Sequence, residues 1–317
     1  MRPYDLLVAG EINPDLILSG NVTPEFGQVE KLVDSATLAI GSSSVIFACG
    51  AARLGLKVAF IGKCGDDVFG RFMLDEMQKR GVDIGNVIVS QTESTGLSVI
   101  LNQPFDYSQG DRAILTHLGL IADLQATDIS DSLLAQARHL HVASYFLQTK
   151  LQPDLPALFK RARSLGLTTS LDTNYDPSEQ WRGFDDLLAV TNVFLPNEAE
   201  AMSLTAAKNA DEAANRLRLA LSGAEGSKVE AAAIKLGKDG ALGISQSQKI
   251  QMSSIPVRVV DTVGAGDTFD AGFIYGYLND WGLEKSLRLA CVCGALSTQA
   301  AGGTAAQPTL EEALKFL

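Results

Sequence analysis

From about residue 121 onward, short apolar runs alternate with stretches of helical spacing, and this alternation restricts the fold more than any other feature. The runs 140–144, 168–171, 190–195 and 231–236 read as buried strands. Residues 130–137, 154–164, 197–204 and 209–222 carry the spacing of helices. Strands that alternate with helices are joined by crossovers, which give a parallel sheet with helices on both faces. Residues 5–10 and 57–63 predict two further buried strands, with one helix opened by 41–44, capped by Ser44 and running to Leu54, and another that follows 65–70 and runs to Arg80. The expected class is therefore α/β, doubly wound around a mostly parallel central sheet. Other apolar runs read as strands in two groups, 16–18 with 37–40 and 87–89 with 95–101 and 112–116, and no helix is expected within either group. They predict a small sheet inserted into the α/β body.

Open α/β sheets place their ligands beyond the carboxyl ends of the strands. Polar residues gather at several such ends here. Asn13 and Asp15 follow the first strand, where a carboxylate can accept hydrogen bonds from two hydroxyls of a polyol. An Asx-Pro turn is the competing reading. Asp172, Thr173 and Asn174 follow another strand. Asn197 and Glu200 follow a third, spaced i, i+3 so that both can face one site. Their oxygens suit Mg²⁺, with Glu200 acting through water, or else they form an N-terminal helix cap.

The run Asp261-Thr262-Val263-Gly264-Ala265-Gly266-Asp267-Thr268-Phe269 carries the most chemistry. Two glycines precede an acid, and Phe269, Phe273 and Tyr277 then recur at helical spacing. This predicts a loop feeding the N-terminus of a buried helix, whose unpaired N–H groups and dipole attract anions. Asp267 in that position is a poor phosphate ligand but a sensible base for a hydroxyl that attacks a phosphate. The run resembles the C-terminal signature of the ribokinase-like (PfkB) kinases of sugars and nucleosides, and the resemblance extends over nearly the whole chain.

That resemblance implies a ribokinase-like fold and ATP-dependent phosphorylation of a hydroxymethyl group on a small sugar or sugar acid. Asp267 would be the general base, and the amides of Gly264, Ala265 and Gly266 the anion hole. The α/β core would comprise residues 1–12, 41–90 and 117–317. Residues 13–40 and 91–116 would form a β lid over the sugar, and often a homodimer contact. Asn13, Asp15, Gly41, Ser42, Ser43 and Arg112 are the expected acceptor contacts. Asn197, Lys235, Gly237 and Gly240 are expected near ATP. Asp261, Val263, Ser297, Ala300 and Gly302 are the candidate oxygens for K⁺. The first family signature matches less well, with Ser42 in place of a second Gly and Ile46 where ribokinases have Asn.

Other classes lose support. A net charge of −11 argues against nucleic acid or an anionic membrane as partner. No apolar run nears the roughly 20 residues that span a bilayer, and a strand is expected at the N-terminus instead of a leader, so a cytoplasmic location is expected. Cys49, Cys64, Cys291 and Cys293 form no Cys-x-x-Cys pair and read as buried thiols. His139 and His141 share one strand face and read as structural. Neither a Walker A run nor a dinucleotide Gly-x-Gly-x-x-Gly occurs. Two alternatives stay open. One is a nucleoside kinase using Phe47, Phe105, Tyr107, Tyr145 or Phe146 against the base. The other is a non-catalytic sugar or nucleotide sensor.

Overall fold

The structure, a computed structural model, describes residues 2–103, 111–181, 184–223 and 230–317. Its strands are β1 (Tyr4–Ala9), β2 (Pro14–Ser19), β3 (Ser35–Ile40), β4 (Val58–Ile61), β5 (Lys63–Gly65), β6 (Ile88–Ser90) and β7 (Leu97–Gln103). They continue with β8 (Asp111–His117), β9 (Ala137–Val142), β10 (Thr168–Leu171), β11 (Val193–Phe194), β12 (Ala231–Lys235), β13 (Ala241–Ser245) and β14 (Lys249–Met252). The helices are α1 (Ser43–Arg53), α2 (Val68–Lys79), α3 (Asp131–Leu134), α4 (Leu155–Ser164) and α5 (Asp185–Leu188). They end with α6 (Glu198–Thr205), α7 (Ala210–Gly223), α8 (Ala265–Leu278), α9 (Gly282–Ser297) and α10 (Leu310–Leu314).

The central sheet runs β14-β13-β12-β11-β10-β9-β1-β4. It is parallel from β4 to β12 and antiparallel at β13 and β14. Alternating side chains feed two cores, as the period of a strand requires. Leu6 and Val8 of β1 face α1, α8 and α9, with Phe47, Phe273 and Leu287. Leu7 and Ala9 face the opposite layer, with Leu155, Phe159 and Ala213 of α4 and α7. Each fully buried Leu or Phe contributes roughly 1.5–3 kcal/mol, so both faces of the sheet must stay covered. Among the described residues no helix is long and apolar enough to cross a membrane.

Several elements differ from expectation. The strand read over 57–63 breaks at Gly62, where a Cβ would lie 2.4 Å from the Gly10 carbonyl oxygen. Chain beyond the break pairs with β6 instead. The strand read over 190–195 shrinks to Val193–Phe194, because Thr191 turns its hydroxyl to the Leu187 carbonyl at 2.8 Å. The helix read over 130–137 ends at Leu134, since Ala137 already opens β9. Ser42, not Ser44, caps α1, accepting from the Val45 amide at 3.1 Å.

A second, four-stranded sheet runs β3-β2-β7-β8. Its register puts Asp15, Ser98, Asn102 and Arg112 on one face. Leu16, Leu18, Leu38, Val99, Leu101 and Leu115 occupy the other.

Candidate active site

The predicted loop–helix junction is present, and glycine is required there. Gly264 caps α8 in the left-handed region (φ 72°). A Cβ on it would lie 2.6 Å from Gly303 Cα and 2.9 Å from Ile46 Cγ2. Ile46, the departure from the ribokinase pattern, is thus an apolar wedge between two glycines. The α8 N-terminus has no side-chain cap. Of the three expected anion-hole residues, Ala265 turns its N–H back to the Thr262 carbonyl at 3.3 Å, while Thr262, Ala265, Gly266 and Asp267 line a cavity of about 670 Å³.

Asp267 sits in the first turn of α8 and is 8% exposed. Burial, with the nearby charge of Asp172, pushes its carboxyl up to about 8, against the pull of Lys235 and of the nearby Ser43 hydroxyl. Beside it lies a compact charge cluster. Lys235 Nζ donates to Asp172 Oδ2 at 2.8 Å and to the Asp270 oxygens at 3.0 and 3.2 Å. The two carboxylates hold this ammonium protonated despite its burial. Burial in turn pushes the Asp270 carboxyl far above its ordinary range.

Asn197 and Glu200 do both things the sequence allowed. They form a reciprocal capping box on α6: the Asn197 amide donates to Glu200 Oε2 at 2.9 Å and the Glu200 amide to Asn197 Oδ1 at 2.9 Å. They also line the cavity, as do Gly237 and Gly240. Desolvation raises the Glu200 carboxyl to about 7. Ile255, Val257, Cys291 and Ala295 give the cavity an apolar wall.

The expected acceptor residues lie at the start of β2, before and at the start of α1, and on β8. Asn13 and Asp15 are 5% and 8% exposed, and burial raises the Asp15 carboxyl to about 7 while Arg112 opposes the rise. Asn13 reaches Ser98 Oγ at 3.5 Å. Gly41 leaves room for Asp15, whose Oδ1 would sit 2.2 Å from any Cβ there. Arg112 projects from β8 to the cavity rim. Ser42 is committed elsewhere, donating to Glu11 while capping α1. Ser43 faces Asp267 and Asn174.

The loops carrying the remaining expected oxygens are tied together by Asp261. Its carboxylate accepts from the Val263 amide at 3.0 Å and the Gly302 amide at 2.9 Å. Ser297 is buried, with its hydroxyl on the Gly294 carbonyl, and Ala300 lies in the turn that follows α9.

The stretch from residue 7 to residue 310 matches the pfkB family carbohydrate kinases. The chain belongs to the PfkB family. It is 31% identical over 306 residues to the 2-dehydro-3-deoxygluconokinase of Bacillus subtilis, covering 92% of this chain and 90% of that one. It is 28% identical over 333 residues to the 5-dehydro-2-deoxygluconokinase of Geobacillus thermodenitrificans, covering 100% and 94%. The fold matches Arabidopsis thaliana ribokinase complexed with ribose and ATP, with a TM-score of 0.84, 23% identity and coverage of 100% and 99%. This PfkB protein is therefore a carbohydrate kinase with the ribokinase-like fold, from an ATP-dependent family.

Sequence reasoning missed two residues of this PfkB site. Glu11 is 3% exposed and its carboxylate accepts from Ser42 Oγ at 3.0 Å, Ser44 N at 3.2 Å, Ser44 Oγ at 2.6 Å and Ser144 Oγ at 3.0 Å. An acid directly after a buried strand, with three consecutive serines elsewhere, was the available signal. Asp270 was the other, an acid inside the apolar run of α8. Three of the aromatic faces considered for a nucleoside are already used. Phe47 stacks on His141 at 3.6 Å, and Tyr145 and Phe146 pack edge-to-face on each other. Phe105 and Tyr107 lie outside the described residues. His139 and His141 are buried in a network with Thr168 and Ser170, and all four cysteines are free and buried.

Proposed function

We propose that this PfkB enzyme transfers the γ-phosphoryl group of ATP to a hydroxymethyl group of a small sugar acid. The observation that carries this reading is Asp267, buried in the first turn of α8 where the cavity meets the polar strand ends. Asp267 takes the proton of the acceptor hydroxyl as its oxygen attacks the phosphorus. The α8 dipole and the amides of Gly264 and Gly266 offset the charge on the transferring group. Lys235 adds a fixed positive charge, with Gly266 close beside its Nζ. The apolar wall of the cavity suits adenine, with Gly237 and Gly240 over it and Asn197 toward the phosphates. This is positioning plus electrostatics, as phosphoryl transfer requires.

The residues present fit Mg²⁺. Among the described residues no cluster of three or more His, Cys, Asp or Glu forms a protein cage for a metal, and Mg²⁺ at phosphates keeps most of its waters. Glu200 would hold it through water, and the ion would supply charge neutralisation between the phosphates. The oxygens of Asp261, Val263, Ser297, Ala300 and Gly302 suit K⁺, which would fix the loop before α8.

On the acceptor side, Asn13 and Asp15 bind hydroxyls, and the Gly41 and Ser43 region closes the pocket. Arg112 offers the fork that matches a substrate carboxylate. The deoxygluconate substrates in the names of two relatives agree with a sugar acid. The four-stranded sheet, over residues 13–40 and 91–116, acts as a lid. Its outer face of Leu16, Leu38, Val99 and Leu115 supports a homodimer through the lid, since Leu115 is 61% exposed.

The test is ADP release from MgATP against sugars, sugar acids and nucleosides. Turnover confined to sugar acids is expected. Turnover with nucleosides alone, or an Asp267→Asn enzyme of near-normal rate, overturns the reading.

A further inference from the structure

One side-chain amide joins the two helices that flank the anion-binding turn. Gln307 follows the loop of Gly302 and Gly303 and is 2% exposed. Its Nε2 donates to the Ile46 carbonyl at 2.9 Å and to Thr268 Oγ1 at 3.0 Å. A backbone carbonyl only accepts, so the first contact settles that the nitrogen end of the amide points inward. An NH₂ group has two hydrogens, and these two contacts use both, one on α1 and one on the first turn of α8. The amide sits where the helices cross closely: a Cβ on Gly50 of α1 would lie 3.0 Å from Gln307 Nε2 and 3.2 Å from Ala271 Cβ of α8. Gln307 is itself held, since its carbonyl accepts from Arg53 Nε at 2.6 Å. Both of its acceptors adjoin the chemistry. Ile46 packs its side chain against Gly264 and Gly303. Thr268 directly follows Asp267 and closes the first turn of α8, its N–H on the Gly264 carbonyl at 2.9 Å.

We propose that Gln307 is a positioning residue for phosphoryl transfer: its two donated hydrogen bonds fix the first turn of α8, and with it Asp267, against α1. The assignment rests on Asp267 being the base. Gln307 acts through Thr268 and Ile46, which lie 39 and 261 residues away in sequence. The α8 N-terminus has no side-chain cap of its own and starts at a glycine, so its first turn has to be held from outside. The hold matters for rate because a displacement of about 1 Å at a reacting group costs up to about a hundredfold.

The experiment is steady-state ADP release from MgATP, with the acceptor that the panel of sugars, sugar acids and nucleosides identifies, alongside thermal melts. Gln307→Met removes both donors and keeps an unbranched side chain in the crossing. Thr268→Val removes the receiving hydroxyl and keeps the branched shape, and it continues the test if Gln307→Met does not fold. Each is expected to lower kcat about tenfold and to leave the KM values for ATP and acceptor within about twofold, because the substrates' own contacts are intact. The double variant is expected to be no slower than the slower single one, since both changes break the same linkage. Thr268→Ser, which keeps an oxygen for the amide, is expected to retain the wild-type kcat. A lower melting temperature with unchanged kcat overturns the proposal, as do losses that multiply to about a hundredfold in the double variant. Either of those results beside an inactive Asp267→Asn leaves the base in place. An active Asp267→Asn overturns the base itself, and the role of Gln307 with it.

Discussion

Lys235 and Asp270 are paired beneath the cavity, with the ammonium 3.0 and 3.2 Å from the two carboxylate oxygens. The Asp270 side chain is 1% exposed and that of Lys235 11%, and Asp172 takes a third contact at 2.8 Å. Two carboxylates share one cation in a place with little water.

Removing the cation should therefore cost more than removing one acid. Lys235→Met leaves both carboxylates buried without a partner, at a cost of about 3–5 kcal/mol. Asp270→Asn keeps the shape and leaves Asp172 on the ammonium, so its loss should be smaller. The double variant Lys235→Met with Asp270→Asn should be more stable than Lys235→Met alone. Urea unfolding of the three proteins checks the order, and strictly additive losses would contradict the pairing.

Stability of the ligand-free enzyme should fall as pH rises from about 4 to about 8. Asp267 is raised from 3.8 to about 8, and Asp15 and Glu200 are raised to about 7. Between the unfolded and folded values the folded chain binds more protons, so the slope of stability against pH is negative. The contribution is fully present below the unfolded value and lost as pH passes the folded one. Thermal melts of wild type and Asp267→Asn at pH 5 and pH 8 should show a smaller difference in the variant.

Glu11 holds three loops with one carboxylate. Glu11→Gln replaces an acceptor oxygen with an NH₂ donor that faces hydroxyl and amide donors. The expected loss is about 1–3 kcal/mol, the cost of unsatisfied buried polar groups. Chemical denaturation measures it, and a loss below about 0.5 kcal/mol, the level of an ordinary surface change, would argue against a hub.

Gly264→Ala should damage both fold and rate. Its Cβ meets the Gly303 backbone at 2.6 Å, which does not give way as the tip of a flexible side chain would. The positive φ adds about 1 kcal/mol or more. Trimming Ile46 to Ala should not rescue it, because the closer obstruction is backbone. Recovery of full activity in the double variant would show that Ile46 alone sets the limit.

The sheet, its polar strand ends and the turn before α8 were legible because each is local in sequence. Apolar runs announce strands, and a glycine pair with an acid before a helical run announces an anion-binding turn. Asp267 was legible this way as the candidate base. Its surroundings were not, because they are assembled from distant segments. Nothing around Ser43 in sequence revealed that its hydroxyl would accept from Asn174, 131 residues away. Lys235 was expected near phosphate, and nothing in its hairpin revealed that Asp172 and Asp270 converge on it. The α1 cap shifted from Ser44 to Ser42 because Glu11, far off in sequence, claims the Ser44 hydroxyl.

The wedge of Ile46 between Gly264 and Gly303 ties the evolutionary fates of three positions together. An amide at 46 would enter a gap walled by glycine backbone, while a side chain at 264 or 303 collides with the branch already there. A side chain at 264 would still meet the Gly303 backbone after Ile46 was trimmed, so a change at 46 alone opens no room there.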